Sequence, residues 1–98
     1  MPREPRANWG HVHRALAPKP DPALAQLPAA HFLGRFVKLA FPCLQHQDRK
    51  EHMWVHVYAL LQDGTLLGRL DNDPVHNVGA QCGDMVQFTR DEIEAVQD

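Results

Sequence analysis

The sequence predicts an α+β domain built on a small bent antiparallel sheet, or partly open barrel, of about four to five strands. Short segments of alternating apolar residues indicate the strands, and turn residues separate them. Capping patterns at two places indicate an N-terminal helix and a short C-terminal helical turn. Because four short strands cannot bury two faces of a flat sheet, we expect the sheet to curl or the helix to cover it.

The first 22 residues are predicted to form a proline-rich arm, with a single domain over residues 23–98. This arm holds five of the eight prolines, which remove amide donors and fix φ. A helix is then predicted from about Pro22 to Phe32, with Asp21 as its cap and Pro22 at the first helical position. Pro28 is expected either to break this helix or to start a second turn.

Residues 36–41 alternate and predict the first strand, and residues 51–74 predict a hairpin around Asp63-Gly64. If these two residues form a two-residue turn, Val57 lies opposite Leu70 and Ala59 lies opposite Gly68. Alternation then gathers an apolar face that consists of Met53, Val55, Val57, Ala59, Leu61, Leu66 and Leu70. The opposite face carries His52, Trp54, His56, Tyr58, Arg69 and Asp71, with His56 opposite Asp71 and Tyr58 opposite Arg69.

The last strand is predicted at residues 85–89, with Val86 and Phe88 facing inward. Thr89 and Glu92 have the spacing of a capping box, which predicts a helical turn that contains Ile93.

Composition excludes several classes of protein. The chain has 98 residues, 44% of them hydrophobic, and a net charge of −2, which is typical of one globular domain. Basic residues are scattered, so we expect no nucleic-acid partner. We see no signal peptide and no run long enough for a membrane span, and we therefore expect a cytoplasmic protein that binds no membrane. Cys43 and Cys82 are expected to be free thiols.

Four motifs resemble a family of small bacterial proteins, the YegJ-like domain of unknown function. They are Glu51-His-Met-Trp-Val55, Gly68-x-Leu70-x-Asn72-x-Pro74, Gly83-Asp-x-Val86-x-Phe88 and Glu92-Ile93. The resemblance covers roughly residues 31–94 and implies a compact α+β domain without an agreed activity. The segment Leu70-x-Asn72-x-Pro74 is also similar to a stretch in some immunity proteins of bacterial toxin systems.

The polar face of the hairpin is the candidate binding site, with Asn72 added from its end. Its residues are His52, Trp54, His56, Tyr58, Arg69, Asp71 and Asn72. Trp, Tyr and Arg are the side chains that dominate protein-binding hot spots. In the alternative interpretation, the helix and the arm cover this face and Trp54 forms a second small core.

Catalytic and metal sites have less support in the sequence. His52 and His56 lie about 13 Å apart by strand rise, too far to share one metal. A cluster of His56, Asp71 and His76 is easier to form, but the chain has no serine and nothing near Cys82 predicts a lowered pKa. We therefore expect no metal and no cofactor.

The sequence thus favours a small non-enzymatic protein-binding module, of the immunity or antitoxin type, whose partner is another protein such as a toxin. The alternative is a small hydrolase or metal-dependent enzyme that uses His56, Asp71 and His76. An accessory subunit with a purely structural role is a third interpretation. The sequence does not decide whether the protein is an enzyme, and it does not indicate an oligomeric state.

Overall fold

The computed structural model describes residues 22–46 and 48–97, which form an open five-stranded antiparallel sheet. The order of strands across the sheet is β4-β3-β2-β1-β5. The strands are β1 (Phe36–Pro42), β2 (Lys50–Leu60), β3 (Leu66–Leu70), β4 (Met85–Phe88) and β5 (Ala95–Gln97). The prediction of a small antiparallel sheet is confirmed. Of the predicted arm, only Pro22 falls within the described residues.

The predicted N-terminal helix is not formed. In its place the chain makes one helical turn, α1 (Pro22–Ala25), and a separate 3-10 turn at Ala29–Phe32. Pro28 separates them with an extended backbone, at φ −67° and ψ 153°. A proline here has no amide to donate to the preceding turn, and its extended ψ directs the chain away from a helix. None of the helices in the described residues is long and apolar enough to cross a membrane.

The predicted C-terminal turn is present as a 3-10 turn at Arg90–Glu92 with the predicted capping box, but Ile93, predicted inside the turn, is its extended C-cap. The backbone N–H of Thr89 donates to Oε1 of Glu92 at 3.1 Å. The chain then continues into β5, which the sequence analysis missed. This edge strand pairs antiparallel with β1, with Lys38 opposite Ala95 and Phe36 opposite Gln97. Three residues are too few for an alternation pattern to be recognised.

One face of the sheet carries the core. Met53, Val55 and Val57 alternate on β2 and are buried, as predicted. The core is closed from above by Phe32, from the 3-10 turn before β1, and by Ile93. Val78 and Ala80 also cover it, from the 14-residue connection between β3 and β4. The central core residues are Phe32, Val37, Leu39, Phe41, Val55, Val57, Leu66, Leu70, Val78, Val86 and Phe88.

The predicted register of the hairpin is wrong by two residues. Val57 lies opposite Gly68 rather than Leu70, and Val55 lies opposite Leu70. Two irregularities cause this difference, and each moves the pairing by one residue. The first is a bulge between Val57 and Ala59, and the second is a longer turn. Because the total shift is even from the start of β2 to the bulge, the side chains from Met53 to Val57 stay on their predicted faces. Beyond the bulge the shift is one residue, so Ala59 lies opposite Leu67 on the other face of the sheet, and its predicted place in the apolar face is wrong.

The turn contains three residues, 62–64, rather than two. Leu61 N–H donates to the carbonyl of Thr65 at 2.8 Å, and Gly64 N–H donates to the carbonyl of Leu61 at 3.0 Å. A two-residue Asp-Gly turn of type I′ needs positive φ at both residues. Here Gly64 has φ 88°, whereas no described residue other than glycine, Asp63 included, has a positive φ. The observed loop is the three-residue form, which needs only the glycine.

Candidate functional site

The sheet face opposite the core presents an array of aromatic and charged side chains, which we call the outer face. Alternation along β2 directs one set of side chains outward, and the neighbouring strands add to it through the observed pairing. The residues of the outer face are Phe36, Lys38, His52, Trp54, His56, Tyr58, Arg69 and Asp71. Five of the seven residues predicted as a binding site lie in strands of this face, with Asp71 and Asn72 directly after β3.

Trp54 lies at the centre of the outer face and is half-buried. Lys38 is its partner on β1, and the Lys38 ammonium lies 5.0 Å from the centroid of the Trp54 ring, within the range of a cation–π interaction. The backbone N–H of Trp54 donates to Oδ1 of Asn72 at 2.5 Å. Its carbonyl accepts from the N–H of Asp71 at 2.9 Å. Asn72 therefore acts on the backbone that holds Trp54, at the place where β3 ends.

His56 does not pair with Asp71 as the sequence analysis expected. The shift in register places it opposite Arg69 instead. On its other side, its ring stacks on Phe36, with centroids 4.7 Å apart and planes at 18°. Phe36, His56 and Arg69 therefore form a row across three strands, with the imidazole between a benzyl ring and a guanidinium-bearing side chain.

Tyr58 is 47% exposed, at the bulge of β2. Its hydroxyl donates to Sδ of Met85 on β4 at 2.8 Å, which fixes the outer end of the side chain. The predicted pairing of Tyr58 with Arg69 is not formed, because Arg69 lies opposite His56 and Met85. At the other end of the face, Nδ1 of His52 lies 2.8 Å and 3.0 Å from the two carboxylate oxygens of Glu94. No pattern in the sequence predicts this contact, since Glu94 precedes a strand that was not predicted.

A second group of polar side chains lies on the core side of the sheet, where β2 begins. The Glu51 carboxylate accepts from the backbone N–H groups of Val75, at 3.0 Å, and His76. It also lies 2.9 Å from Nδ1 of His76. Burial raises the pKa of Glu51, but the hydrogen bonds from the His76 and Val75 amides and the His76 ring outweigh it and hold that pKa below its ordinary value.

Cys43 completes this second group. One ligand atom each from Cys43, Glu51 and His76 lie within 4.8 Å of one another, the only such set of three or more potential metal ligands in the described part of the chain. The structure does not bring His76 together with His56 and Asp71. The sequence did not predict Cys43 and Glu51 as site residues. In the structure, Glu51 lies opposite Phe41, and Cys43 is two residues further along the same strand direction, so both face the same side of the sheet.

Both cysteines are free, as predicted. Cys82 is exposed, and its pKa is raised by desolvation and by the negative charges of Asp73, Asp71 and Asp84. A raised pKa keeps the thiol protonated at neutral pH, and a protonated thiol is a poor nucleophile. The environment of Cys82 therefore gives no support to nucleophilic catalysis.

Within the described residues, the fold is one antiparallel sheet with a buried face and a face that carries half-buried Trp54 and exposed Tyr58. The chain belongs to the bacterial family described as "Uncharacterized protein conserved in bacteria (DUF2314)", whose model matches residues 29–96. The match begins in the 3-10 turn before β1 and ends in β5, so it contains the sheet except for Gln97, the last residue of β5. No curated protein and no solved structure matches the chain.

Proposed function

We propose that this protein is a small non-enzymatic binding module that recognises another protein through its outer face. The observation that carries the proposal is the position of Trp54. A half-buried tryptophan lies on a sheet face that also carries the exposed side chains of His56, Tyr58 and Arg69. Tryptophan, tyrosine and arginine supply most of the energy in protein interfaces when a partner removes them from water.

The side chains of this face are held in place before any partner arrives. The Lys38 ammonium lies over the Trp54 ring, Met85 accepts from the Tyr58 hydroxyl, and Phe36 supports the His56 ring. Each fixed side chain saves about 0.5–1.5 kcal/mol of ordering cost on association. Protein interfaces usually have aromatic residues at their centre and polar or charged residues at their edge, and the outer face has this arrangement.

We further propose that the partner is a protein toxin, which would make this chain an immunity or antitoxin-like protein. This part rests on the likeness of Leu70-x-Asn72-x-Pro74 to a stretch in some immunity proteins. The same motif is one of the four that resemble YegJ-like proteins, and on these four motifs we propose that the chain is a YegJ-like domain. Asn72 also has a structural task beside Trp54, so the motif alone does not require a toxin partner.

The experiment is a quantitative pull-down from the native lysate with the wild-type chain, Trp54→Ala, Tyr58→Ala and a control, Val75→Ala. Val75 is 85% exposed and lies in the β3–β4 connection, away from the outer face. We expect a partner that the wild-type chain and Val75→Ala retain with equal affinity. Trp54→Ala should weaken its binding by about 2 kcal/mol or more, while the variant stays folded.

Two results would contradict the proposal. One is a partner that all four proteins retain equally. The other is a partner that only Val75→Ala loses, because this would place the binding surface on the β3–β4 connection. If the retained partner is not a toxin, the outer face keeps its role and the immunity assignment is rejected.

A further inference from the structure

We infer that Cys43, Glu51 and His76 form a binding site for a divalent zinc ion. The site goes beyond the binding role of the outer face and does not depend on it. Three different types of ligand meet here: a thiol, a carboxylate and an imidazole, with their ligand atoms within 4.8 Å of one another. Sulfur and nitrogen ligands select zinc over magnesium and calcium, which require oxygen ligands.

The backbone brings these three residues together without a metal. Glu51 lies opposite Phe41 in the sheet, and the ladder continues beyond β1, where Cys43 N–H donates to the carbonyl of Arg49 at 3.0 Å. Phe41 and Cys43 are two residues apart, so both face the core side with Glu51. His76 comes from the β3–β4 connection, whose backbone the Glu51 carboxylate binds at Val75 and His76.

A second hydrogen bond fixes the connection against the Cys43 segment. Leu44 N–H donates to the carbonyl of Asn77 at 2.8 Å, next to His76. The ligands therefore come from three segments that hydrogen bonds already join. Ligand atoms on one tetrahedral zinc lie roughly 3.3–3.6 Å apart. Small side-chain rotations, which move each atom by about 1 Å, convert the observed arrangement into such a site.

The charges and protons of the group also suit zinc. A Cys43 thiolate, the Glu51 carboxylate and a neutral His76 carry two negative charges, which the ion neutralises. On binding, the thiol releases one proton to solvent, and the proton that Nδ1 shares with Glu51 moves to Nε2 as Nδ1 takes the metal. The Glu51 carboxylate keeps its bonds to the two amides, because its oxygens offer about four acceptor positions.

Three protein ligands leave one tetrahedral position for water, as in zinc sites that are not closed. The imidazole side of the group faces solvent, since the side chain of His76 is 42% exposed, whereas Cys43 is buried. An ion enters from the His76 side and reaches the thiol last.

The test is metal binding by the full chain. His11 and His13 form a His-x-His pair that could also bind zinc, so both are changed to alanine in the background protein, in which every variant is made. Zinc affinity is measured by competition with a chromophoric chelator, and cobalt(II) reports the thiolate through its sulfur-to-metal charge-transfer band. We expect one equivalent of zinc and a charge-transfer band. Cys43→Ala should abolish the band, and His76→Ala should weaken zinc binding by about 100-fold or more, since even indirect ligand partners cost 10–100-fold.

Matched controls are Cys82→Ala and His46→Ala, which remove an exposed cysteine and an exposed histidine outside the group. Both should bind zinc as the background protein does. If Cys43→Ala fails to fold, His76→Ala still tests the site, because His76 is largely exposed. The inference is overturned if the background protein does not compete with the chelator, or if the cobalt band survives Cys43→Ala and disappears in Cys82→Ala.

Discussion

Asp63 controls the local geometry of the turn between β2 and β3. Its carboxylate accepts from the hydroxyl of Thr65 at 2.6 Å and from the N–H of Thr65 at 3.0 Å. Both bonds favour the ionised form, and they lower the pKa of Asp63. The ionised carboxylate of Asp63 therefore stabilises the three-residue loop between β2 and β3.

This arrangement predicts how the turn responds to acid. Because the folded pKa of Asp63 is lowered, its contribution to stability is present above the unfolded pKa and is lost as pH falls through the folded pKa. Thr65→Val removes the hydroxyl bond, the larger cause, and should move the pKa of Asp63 upward. An NMR titration of the carboxyl carbon in both proteins measures it. An unchanged pKa in Thr65→Val would show that the hydroxyl does not act on Asp63.

Gly68 is required by close packing between β3 and β2. A Cβ at this position would overlap Cγ1 of Val55 and would approach the carbonyl oxygen of His56 to 2.8 Å. The backbone oxygen cannot move without breaking the ladder. Gly68→Ala should therefore destabilise the fold by about 1–3 kcal/mol, the typical cost of overpacking a core.

Gly34 offers a comparison for this prediction. A Cβ there meets nothing within 4 Å, but φ is +79°. Gly34→Ala should cost only the left-handed backbone strain, about 1–2 kcal/mol. Urea denaturation of both variants measures the two costs. If Gly68→Ala unfolds at the wild-type midpoint, the sheet at Val55 and His56 relaxes more easily than the contacts suggest.

At the scale of elements, the β3–β4 connection depends on Glu51. Its carboxylate accepts the amides of Val75 and His76, and the connection places Val78 and Ala80 over the core. Each hydrogen bond to a charged group is worth about 1.5–3 kcal/mol. One side chain from the start of β2 therefore anchors a long connection that has no regular structure of its own.

We expect Glu51→Ala to loosen this connection in metal-free protein. Amide hydrogen exchange at Val75 and His76 should become faster, while exchange in the centre of β2 stays slow. The control is Glu94→Ala, which removes a carboxylate that pairs with a histidine on the outer face. It should leave exchange at Val75 and His76 unchanged. Equal protection of these amides in Glu51→Ala would show that backbone packing alone holds the connection.

The elements show what alternation in a sequence can predict. Four strands and the faces of the β2 residues up to Val57 follow from the side-chain period alone, because burial of one face fixes which residues point inward. The bulge then places Ala59 on the face opposite to its predicted one. The register does not follow, since a bulge at Tyr58 and the loop length depend on backbone dihedrals that the letters Asp-Gly leave open. The predicted helix does not continue through Pro28, because proline has no amide to donate to the preceding turn. This loss outweighs the helical propensity of the alanines and leucines around it.

The two candidate sites differ in how far the sequence could reach them. The predicted part of the outer face lies within one hairpin, so alternation along β2 was enough to group His52, Trp54, His56 and Tyr58. Phe36 and Lys38 join this face from β1. The group at Glu51 joins residues 43, 51 and 76 through a connection whose path no local pattern encodes. The strand pairing that puts Cys43 and Glu51 on one face is known only from the structure, because the sequence predicts no register between β1 and β2.

In the whole molecule, the two faces of the sheet differ in how deeply the described residues are buried. The core face is covered by Leu24 of α1, Phe32 of the 3-10 turn before β1 and Val78 of the β3–β4 connection. On the outer face, Lys38 lies over the Trp54 ring, Met85 accepts from the Tyr58 hydroxyl, and Asn72 accepts from the backbone N–H of Trp54. The aromatic surface that stays accessible in the described residues is concentrated on the outer face. A contiguous patch of this kind is where a partner can bury apolar area.

This division predicts opposite behaviour for two consecutive residues of β2. Met53 points into the core and is 4% exposed, whereas Trp54 points outward and is half-buried. Met53→Ala should lower the free energy of unfolding by about 2–5 kcal/mol, through lost burial and the cavity it leaves. Its affinity for a partner should be unchanged under conditions in which it is folded, because it does not reach the outer face.

Trp54→Ala should do the reverse. Its loss of stability should stay below the roughly 3–5 kcal/mol of a core tryptophan, since the change removes a half-exposed ring and a cation–π contact worth about 0.5–1 kcal/mol. Urea unfolding of the two variants, with the affinity of each for the recovered partner, gives four numbers. If Trp54→Ala loses as much stability as Met53→Ala and no partner is recovered, Trp54 belongs to a second core, and the outer face is a structural surface rather than a binding site.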